Sequence, residues 1–159
     1  MIRIGILGDI GSGKSYIARR FGYPVFNADE EVAKLYSNNK KIFIQLNKVL
    51  PKYIHSFPIN KKEITNAILS NKANLKKIIK IVHIQVRKKM NYFIKKNKNK
   101  KIVILDIPLL LENKINKKND ILIFVSASKI HILKRLKKRK NFNFNLFKRF
   151  KKIQLPLDY

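Results

Sequence analysis

A glycine-rich stretch near the N-terminus constrains the fold of this chain more than any other feature. Residues 8–15 read Gly-Asp-Ile-Gly-Ser-Gly-Lys-Ser, after the apolar run 4–7 and before the helix-compatible run 16–21. Two glycines separated by four residues and followed by Lys and Ser have the spacing of a P-loop, in the order strand, loop, helix. Such a loop directs successive backbone N–H groups at an anion. The stretch therefore predicts a phosphate site after the first strand of an α/β fold.

Each position in this loop has an expected role in holding a nucleotide. Glycine lets the backbone take positive φ values and approach a phosphate closely. Lys14 is expected to reach the terminal phosphates, and the Ser15 hydroxyl is expected to hold Mg²⁺. The predicted nucleotide-binding residues are Gly8, Ile10, Gly11, Ser12, Gly13, Lys14, Ser15 and Tyr16.

The composition limits the class of protein. A chain of 159 residues suits one domain with a core, so we predict a single domain over residues 1–159. The absence of cysteine excludes disulfides and thiolate metal sites. The sequence begins with a strand pattern rather than a signal peptide, and no apolar run approaches the roughly 18 to 20 residues that span a bilayer. We therefore expect a soluble, cytoplasmic protein without a membrane partner.

The net charge of +28 admits two explanations. A strongly basic surface is typical of proteins that bind nucleic acid or an anionic membrane. However, the excess is almost entirely Lys, mixed with Asn and Ile in every segment, which adenine- and thymine-rich coding produces without selection for binding. We favour the second explanation and expect no nucleic-acid partner, and the sequence predicts no oligomeric state.

Carboxylates are rare in this chain and concentrate where a ligand crevice is expected. Six of the nine acidic residues follow predicted strands, in loops that form the crevice of an open α/β sheet. Asp106 ends the apolar run 102–105, as a Walker B-like carboxylate does, so the predicted metal ligands are Ser15 and Asp106. Asp29 precedes the predicted helix 30–37, where it can serve as N-cap or face the crevice.

The remaining pattern alternates strands with helices. The predicted strands lie near residues 2–7, 23–27, 102–106 and 121–125, and helices between the second and third strands are predicted at 40–54, 61–69 and 71–96. The run 121–125 is unbroken and apolar, which predicts a central strand. The inserted helices, residues 38–97, form a predicted substrate-binding lobe.

Basic residues crowd together in residues 135–152, which predicts two helices around a polar tip at 141–145. Small kinases cover their phosphates with a mobile cationic lid of this kind. Only seven of the 37 basic residues are Arg, the side chain that offers a planar bidentate donor. Among these, Arg3, Arg19 and Arg20 are expected to be ordinary surface residues.

With these pieces placed, the chain resembles the dephospho-coenzyme A kinase family over nearly its whole length. The motifs that carry the resemblance are the P-loop at 8–15, Asn-Ala-Asp at 27–29, Leu-Asp-Ile-Pro-Leu-Leu-Leu-Glu at 105–112 and Gln-Leu-Pro-Leu at 154–157. The P-loop alone is generic, but its combination with the 105–112 motif is specific. The resemblance implies a three-layer P-loop fold with a parallel sheet of strand order 2-3-1-4.

The resemblance also implies a reaction and a set of residues. The γ-phosphoryl group of ATP, with Mg²⁺ bound, would pass to the 3′-hydroxyl of dephospho-coenzyme A, while Asp29 accepts or orients the hydroxyl proton. The implied catalytic residues are Lys14, Asp29, Arg135 and Arg139, and the implied substrate-binding residues are Asp29, His83, Arg87, Asp106, Pro108 and Leu109.

Some positions depart from the family pattern. Asp9 stands where the family usually has Gly, Asn27 replaces an Asp, Ile84 replaces a Pro, and Arg149 is about one residue out of register with a lid Arg. Family members also continue into a fifth strand and a helix, so we expect an exposed edge on the fourth strand and place the activity in doubt. Two alternatives stay open: another small P-loop kinase for nucleosides or nucleotides, and a truncated, inactive, basic nucleic-acid-binding protein.

Overall fold

The computed structural model describes residues 1–139 and 142–155. The chain divides into two compact units, Met1–Ala28 with Phe93–Tyr159 and Asp29–Tyr92. In chain order its elements are β1 (Ile2–Leu7), α1 (Lys14–Arg20), β2 (Val25–Asn27), α2 (Ala28–Asn38), α3 (Lys40–Val49), α4 (Lys61–Ser70), α5 (Lys72–Lys96), β3 (Ile102–Asp106), β4 (Ile121–Phe124), α6 (Lys129–Lys137) and α7 (Phe144–Lys151).

The first unit contains one parallel sheet of strand order β2-β3-β1-β4. This confirms the predicted α/β class and the order 2-3-1-4. All four strands run in one direction, so their carboxyl ends lie along the same edge of the sheet, where Asn27 pairs in register with Asp106. The core of the sheet is aliphatic, since Ile4, Ile6 and Ile104 are buried together with Ala18 of α1.

The prediction that the fourth strand is central was wrong. Among the described strands β4 pairs only with β1, at the edge of the sheet. The side chains of Ile121, Leu122 and Phe124 are 49%, 40% and 45% exposed. An apolar run reports how hydrophobic a strand is, but the number of its neighbours depends on where the other strands pair.

Arg3 is buried, contrary to the expectation of an ordinary surface residue. Arg3 as a whole is 8% exposed, and its Nη2 donates a hydrogen bond of 2.9 Å to Oδ2 of Asp120. The same carboxylate oxygen accepts the backbone N–H of Lys117 at 2.9 Å. This ion pair therefore ties β1 to the turn that precedes β4, and the charge of Arg3 is matched inside the fold.

The second unit is helical. The helix predicted over residues 40–54 ends earlier, since α3 stops at Val49 and Leu50 takes φ −136° and ψ 52°. The cause is Pro51, because a residue before proline avoids the helical conformation. Helix α2 begins at Ala28, so Asp29 lies inside its first turn and is not its N-cap. The role of these helices as a substrate lobe stays a prediction.

Two further expectations concern the lid region. Helix α7 begins at Phe144, so the predicted polar tip at 141–145 is partly helical, and Asn143 caps the helix by accepting the N–H of Leu146 at 2.9 Å. Asn141, Pro156 and Leu157 lie outside the described residues.

Within the part of the chain that the structure describes, no helix is both long enough and apolar enough to cross a membrane.

Candidate functional site

At two positions of the loop between β1 and α1, the backbone adopts a conformation that favours glycine. Gly8 has a φ of 136°, and a Cβ built there would lie 2.3 Å from the carbonyl oxygen of Val125. Gly13, with a φ of 106°, stands at the N-cap of α1, where no side chain of the described residues caps the helix. The first backbone N–H groups of α1 are thus left for another acceptor, as in phosphate-binding loops.

Lys14 lies at the start of α1 and folds back over the loop. Its Nζ donates hydrogen bonds to the carbonyl oxygens of Gly8 at 2.8 Å and Asp9 at 2.7 Å. These neutral carbonyls are weaker partners for an ammonium group than a phosphate oxygen is. The ammonium is therefore positioned to exchange the carbonyls for a phosphate.

Helix α6 contacts the same loop from the lid side. Nη1 of Arg135 donates a hydrogen bond of 2.7 Å to the carbonyl oxygen of Ser12. A Cβ built on Gly11 would lie 3.0 Å from Cγ of Leu136, so α6 packs directly on the loop. The structure therefore brings Arg135 to the predicted phosphate site.

Arg139 lies elsewhere. It follows the end of α6, its side chain is exposed, and no hydrogen bond joins that side chain to the loop among residues 1–139 and 142–155. The two predicted lid arginines thus differ: Arg135 donates a hydrogen bond to the P-loop, and Arg139 donates none to it within the described part of the chain.

Asp106 and Asn27 meet at the carboxyl edge of the sheet. Asp106 is 3% exposed, and its Oδ2 accepts a hydrogen bond of 2.7 Å from Nδ2 of Asn27. An amide at position 27 supplies a donor to this buried carboxylate, where a second carboxylate would repel it. The Asn27 amide therefore pairs with the buried Asp106 carboxylate and holds its orientation at this edge.

The predicted metal ligands have the chemistry that Mg²⁺ prefers. Ser15 offers a hydroxyl and Asp106 a carboxylate, both oxygen donors. No group of three or more His, Cys, Asp or Glu side chains occurs together among the described residues. A Mg²⁺ ion usually keeps several waters and binds through one or two protein oxygens plus substrate phosphates, so the donor set present fits it.

The loop after β3 forms one wall of a small cavity beside the P-loop. Leu110 is 1% exposed, Pro108 is exposed, and Leu109 has a φ of 55°, which is rare for a residue with a side chain. The Asn113 side chain donates to the carbonyl oxygen of Leu109 at 2.8 Å. Strained backbone of this kind persists only where its surroundings hold it, often beside a ligand. The cavity is lined by Ile6, Leu7, Gly8, Lys14, Ile107, Leu109, Leu110, Leu111, Glu112 and Gln154.

The segment at the end of α7 also reaches the P-loop. Nε2 of Gln154 donates to the carbonyl oxygen of Gly8 at 3.0 Å, and the ammonium group of Lys151 pairs with the Asp9 carboxylate. Sequence reasoning did not assign either residue to the site. The Gln-x-Pro motif was the available signal for Gln154, and the signal for Lys151 was its place in the basic stretch 135–152, which does not single it out among its neighbours.

Two other predicted nucleotide contacts have ordinary surroundings. Tyr16 is 61% exposed, and its hydroxyl accepts a hydrogen bond of 2.9 Å from Nη2 of Arg20. Ile10 is half-buried in the loop. Their contact with a nucleotide stays a prediction.

The remaining predicted residues belong to the second unit. Asp29 is exposed in the first turn of α2, beside Glu30 and Glu31. His83 and Arg87 lie one turn apart on α5, and partial burial, followed by the charge of Arg87, lowers the pKa of His83 from its ordinary 6.5. Their roles toward a substrate stay predictions.

Comparison with known proteins gives consistent results. The sequence profile of the family described as dephospho-CoA kinase matches residues 2–158. A protein named dephospho-CoA kinase from Wolbachia sp. subsp. Brugia malayi is 35% identical over 97% of this chain and 81% of its own length. One from Rickettsia felis is 33% identical, with shares of 98% and 81%. The crystal structure of TT1252 from Thermus thermophilus is similar with a TM-score of 0.74 and 27% identity, covering 98% of this chain and 81% of that one.

Proposed function

This chain belongs to the dephospho-CoA kinase family, and from that premise we propose that it transfers the γ-phosphoryl group of ATP to the 3′-hydroxyl of dephospho-coenzyme A. This is the last step of coenzyme A biosynthesis. The observation that carries the proposal is the P-loop of the first unit. Lys14, at its end, and Arg135, on α6, both donate hydrogen bonds to carbonyl oxygens of this loop. A kinase of this kind works mainly by positioning and by neutralising charge.

ATP binds with its phosphates in the P-loop. Lys14 leaves the carbonyls of Gly8 and Asp9 for a phosphate oxygen, and Arg135 adds positive charge on the lid side. Ser15 and Asp106 would hold Mg²⁺, which would supply positive charge to neutralise the phosphates. Asn27 orients the Asp106 carboxylate through its amide. Arg139 is proposed as a second lid arginine from the family resemblance.

The acceptor residues are proposed from the family resemblance. Asp29 takes the proton of the ribose 3′-hydroxyl while that oxygen bonds to the γ-phosphorus and the bond to the leaving ADP oxygen breaks. His83 and Arg87 bind dephospho-coenzyme A from the helical unit, as do Pro108 and Leu109 from the loop after β3. His83 acts as a neutral hydrogen-bonding group near pH 7, because its pKa is lowered.

A coupled ADP-release assay with several acceptors tests this proposal. Dephospho-coenzyme A should support turnover, and Lys14→Ala should abolish it, while Lys118→Ala, which removes an exposed Lys of the same unit, should leave it unchanged. Turnover with nucleosides or nucleotides but not with dephospho-coenzyme A would assign another small kinase activity. No turnover with any acceptor would contradict the kinase proposal.

The net charge of +28 is the observation behind a second candidate, a basic nucleic-acid-binding protein. Binding through bulk charge weakens steeply with added salt and shows no sequence preference. Titration of duplex and single-stranded DNA and RNA at 50 and 200 mM salt tests this candidate. An affinity that depends on nucleic-acid sequence and persists at 200 mM salt would support it, whereas binding without sequence preference that is lost at 200 mM salt would indicate bulk charge alone.

A further inference from the structure

The end of helix α7 contacts the first two residues of the P-loop through two different side chains. Lys151 pairs with the carboxylate of Asp9, and both side chains are partly exposed, at 49% and 37%. Three residues later, beyond the end of the helix, Nε2 of Gln154 donates to the Gly8 carbonyl oxygen at 3.0 Å. We call Lys151 and Gln154 together the clasp.

The clasp is itself anchored. The backbone N–H of Leu155 donates a hydrogen bond of 2.8 Å to Oε1 of Glu112, in the loop after β3. This fixes the chain directly after Gln154 against a second part of the same cavity wall. The backbone at Gln154 is thus held on both sides: helix α7 precedes it, and the Leu155 N–H that follows it is bound by Glu112. This places the Gln154 side chain beside Gly8.

Among residues 1–139 and 142–155, the Gly8 carbonyl has two donors, and one of them belongs to the clasp. Lys14 donates to this oxygen at 2.8 Å and Gln154 donates to it at 3.0 Å. Gly8 is buried, so solvent does not readily replace a lost donor. When Lys14 turns to a phosphate, Gln154 is the donor that stays with the Gly8 carbonyl.

The other half of the clasp concerns charge. Asp9 places a carboxylate in the loop that is proposed to hold a polyphosphate, where a negative charge opposes binding. Lys151 pairs with this carboxylate and neutralises it. The pair is partly exposed, so its effect is modest and falls with added salt.

We propose that Lys151 and Gln154 are positioning residues for the nucleotide: Gln154 keeps the Gly8 carbonyl bonded after Lys14 moves to a phosphate, and Lys151 cancels the charge of Asp9. The inference rests on the proposed nucleotide site and deepens it. It also makes the last residue of α7 and the segment that follows it part of the nucleotide site, since Lys151 pairs with the Asp9 carboxylate and Gln154 donates to the Gly8 carbonyl.

Gln154→Met tests the hydrogen-bond half, since it keeps the length of the side chain and removes the donor. The affinity for fluorescent ADP should fall roughly three- to tenfold, the worth of one hydrogen bond. The melting temperature of the nucleotide-free protein should change little, because Lys14 still serves Gly8 in that state. Gln45→Met, at an exposed position of α3, is the matched control and should change neither quantity.

A purely structural role for Gln154 predicts the opposite result. Gln154→Met would then lower the melting temperature of the nucleotide-free protein and leave the affinity of the remaining folded protein for ADP unchanged. That outcome would overturn the hydrogen-bond half of the proposal.

The charge half is tested by a double-mutant cycle on Asp9 and Lys151. Lys151→Gln should weaken ADP binding about three- to fivefold at low salt, because it uncovers the Asp9 charge. In the Asp9→Asn background the same substitution should weaken binding less than twofold. Lys152→Gln, which removes an equal charge one residue further along, should have the same effect in both backgrounds.

Equal effects of Lys151→Gln in the two backgrounds would overturn the charge half, because Lys151 would then act only as one positive charge among many. These titrations use ADP alone, so they do not depend on the acceptor. A protein that binds ADP with the predicted couplings but does not phosphorylate dephospho-coenzyme A would retain the clasp and lose the proposed reaction.

Discussion

The guanidinium of Arg135 donates a 2.7 Å hydrogen bond to the carbonyl oxygen of Ser12, which joins helix α6 to the middle of the P-loop. The contact spans residues 123 positions apart in the chain. Glycine at position 13 makes room for it, because a Cβ there would lie 3.2 Å from Nη1 of Arg135. A side chain at position 13 would therefore crowd the end of the Arg135 side chain.

Arg135→Ala should lower kcat by roughly a hundredfold or more, because an arginine that neutralises charge in phosphoryl transfer contributes factors of this size or larger. Arg139→Ala should lower it less, since its exposed side chain makes no hydrogen bond to the loop among the described residues. Steady-state kinetics with saturating substrates measures both. A larger loss for Arg139→Ala would show that the lid rearranges around the other arginine during turnover.

Asp29→Asn should lower kcat about a hundred- to ten-thousandfold, the range for loss of a general base, while the affinity for ATP changes little. Glu30→Gln is the control, since Glu30 lies next to Asp29 in the same turn of α2. Kinetics and nucleotide titration together separate the two quantities. Equal turnover for the two variants would remove Asp29 as the group that accepts the proton.

Arg3→Met should lower the free energy of unfolding by about 3 kcal/mol, because it leaves the buried carboxylate of Asp120 without its ion-pair partner. Lys34→Met breaks the ion pair with Glu31, in which the Lys34 side chain is 64% exposed, and should cost under about 1 kcal/mol. Urea unfolding measures both values. Comparable losses would mean that burial of the Arg3 pair does not matter.

The stability of the protein should decrease on mild acidification because of His83. Its pKa in the folded chain lies below the ordinary 6.5, as a result of partial burial and then the charge of Arg87. Between these two pKa values the unfolded chain binds more protons, so the free energy of unfolding falls as the pH drops below about 6.5. Urea unfolding at several pH values between 5.5 and 7.5 gives the free energy of unfolding as a function of pH. This free energy should depend less steeply on pH in His83→Gln than in the unsubstituted protein. An unchanged slope would contradict the assignment to His83.

The P-loop and the strand order were predictable, because glycine spacing is a local property and the family resemblance extends over the sheet. The sequence also contained local signals for two helix ends that the prediction missed. Pro51 disfavours a helical Leu50 and so ends α3 at Val49, and Asn143 before Phe144 is a typical N-cap for the start of α7. These signals lie within a few residues of what they determine.

Other features depend on distant partners and had no local signal. Arg3 resembles any charged residue at the start of a strand until Asp120 is placed beside it. The edge position of β4 follows from the pairing of the other strands. The contact of Lys151 with Asp9 spans 142 residues and requires the position of α7 in the fold.

Transfer of an isotopic label tests the central claim most directly. The protein is incubated with Mg²⁺, dephospho-coenzyme A and ATP that carries ¹⁸O in its γ-phosphoryl group, and the products are analysed by mass spectrometry. We predict coenzyme A with the labelled phosphate on the 3′-oxygen of its ribose, and no such product with Lys14→Ala. Label found only in ATP or in inorganic phosphate, in a protein that binds ADP, would contradict the assignment.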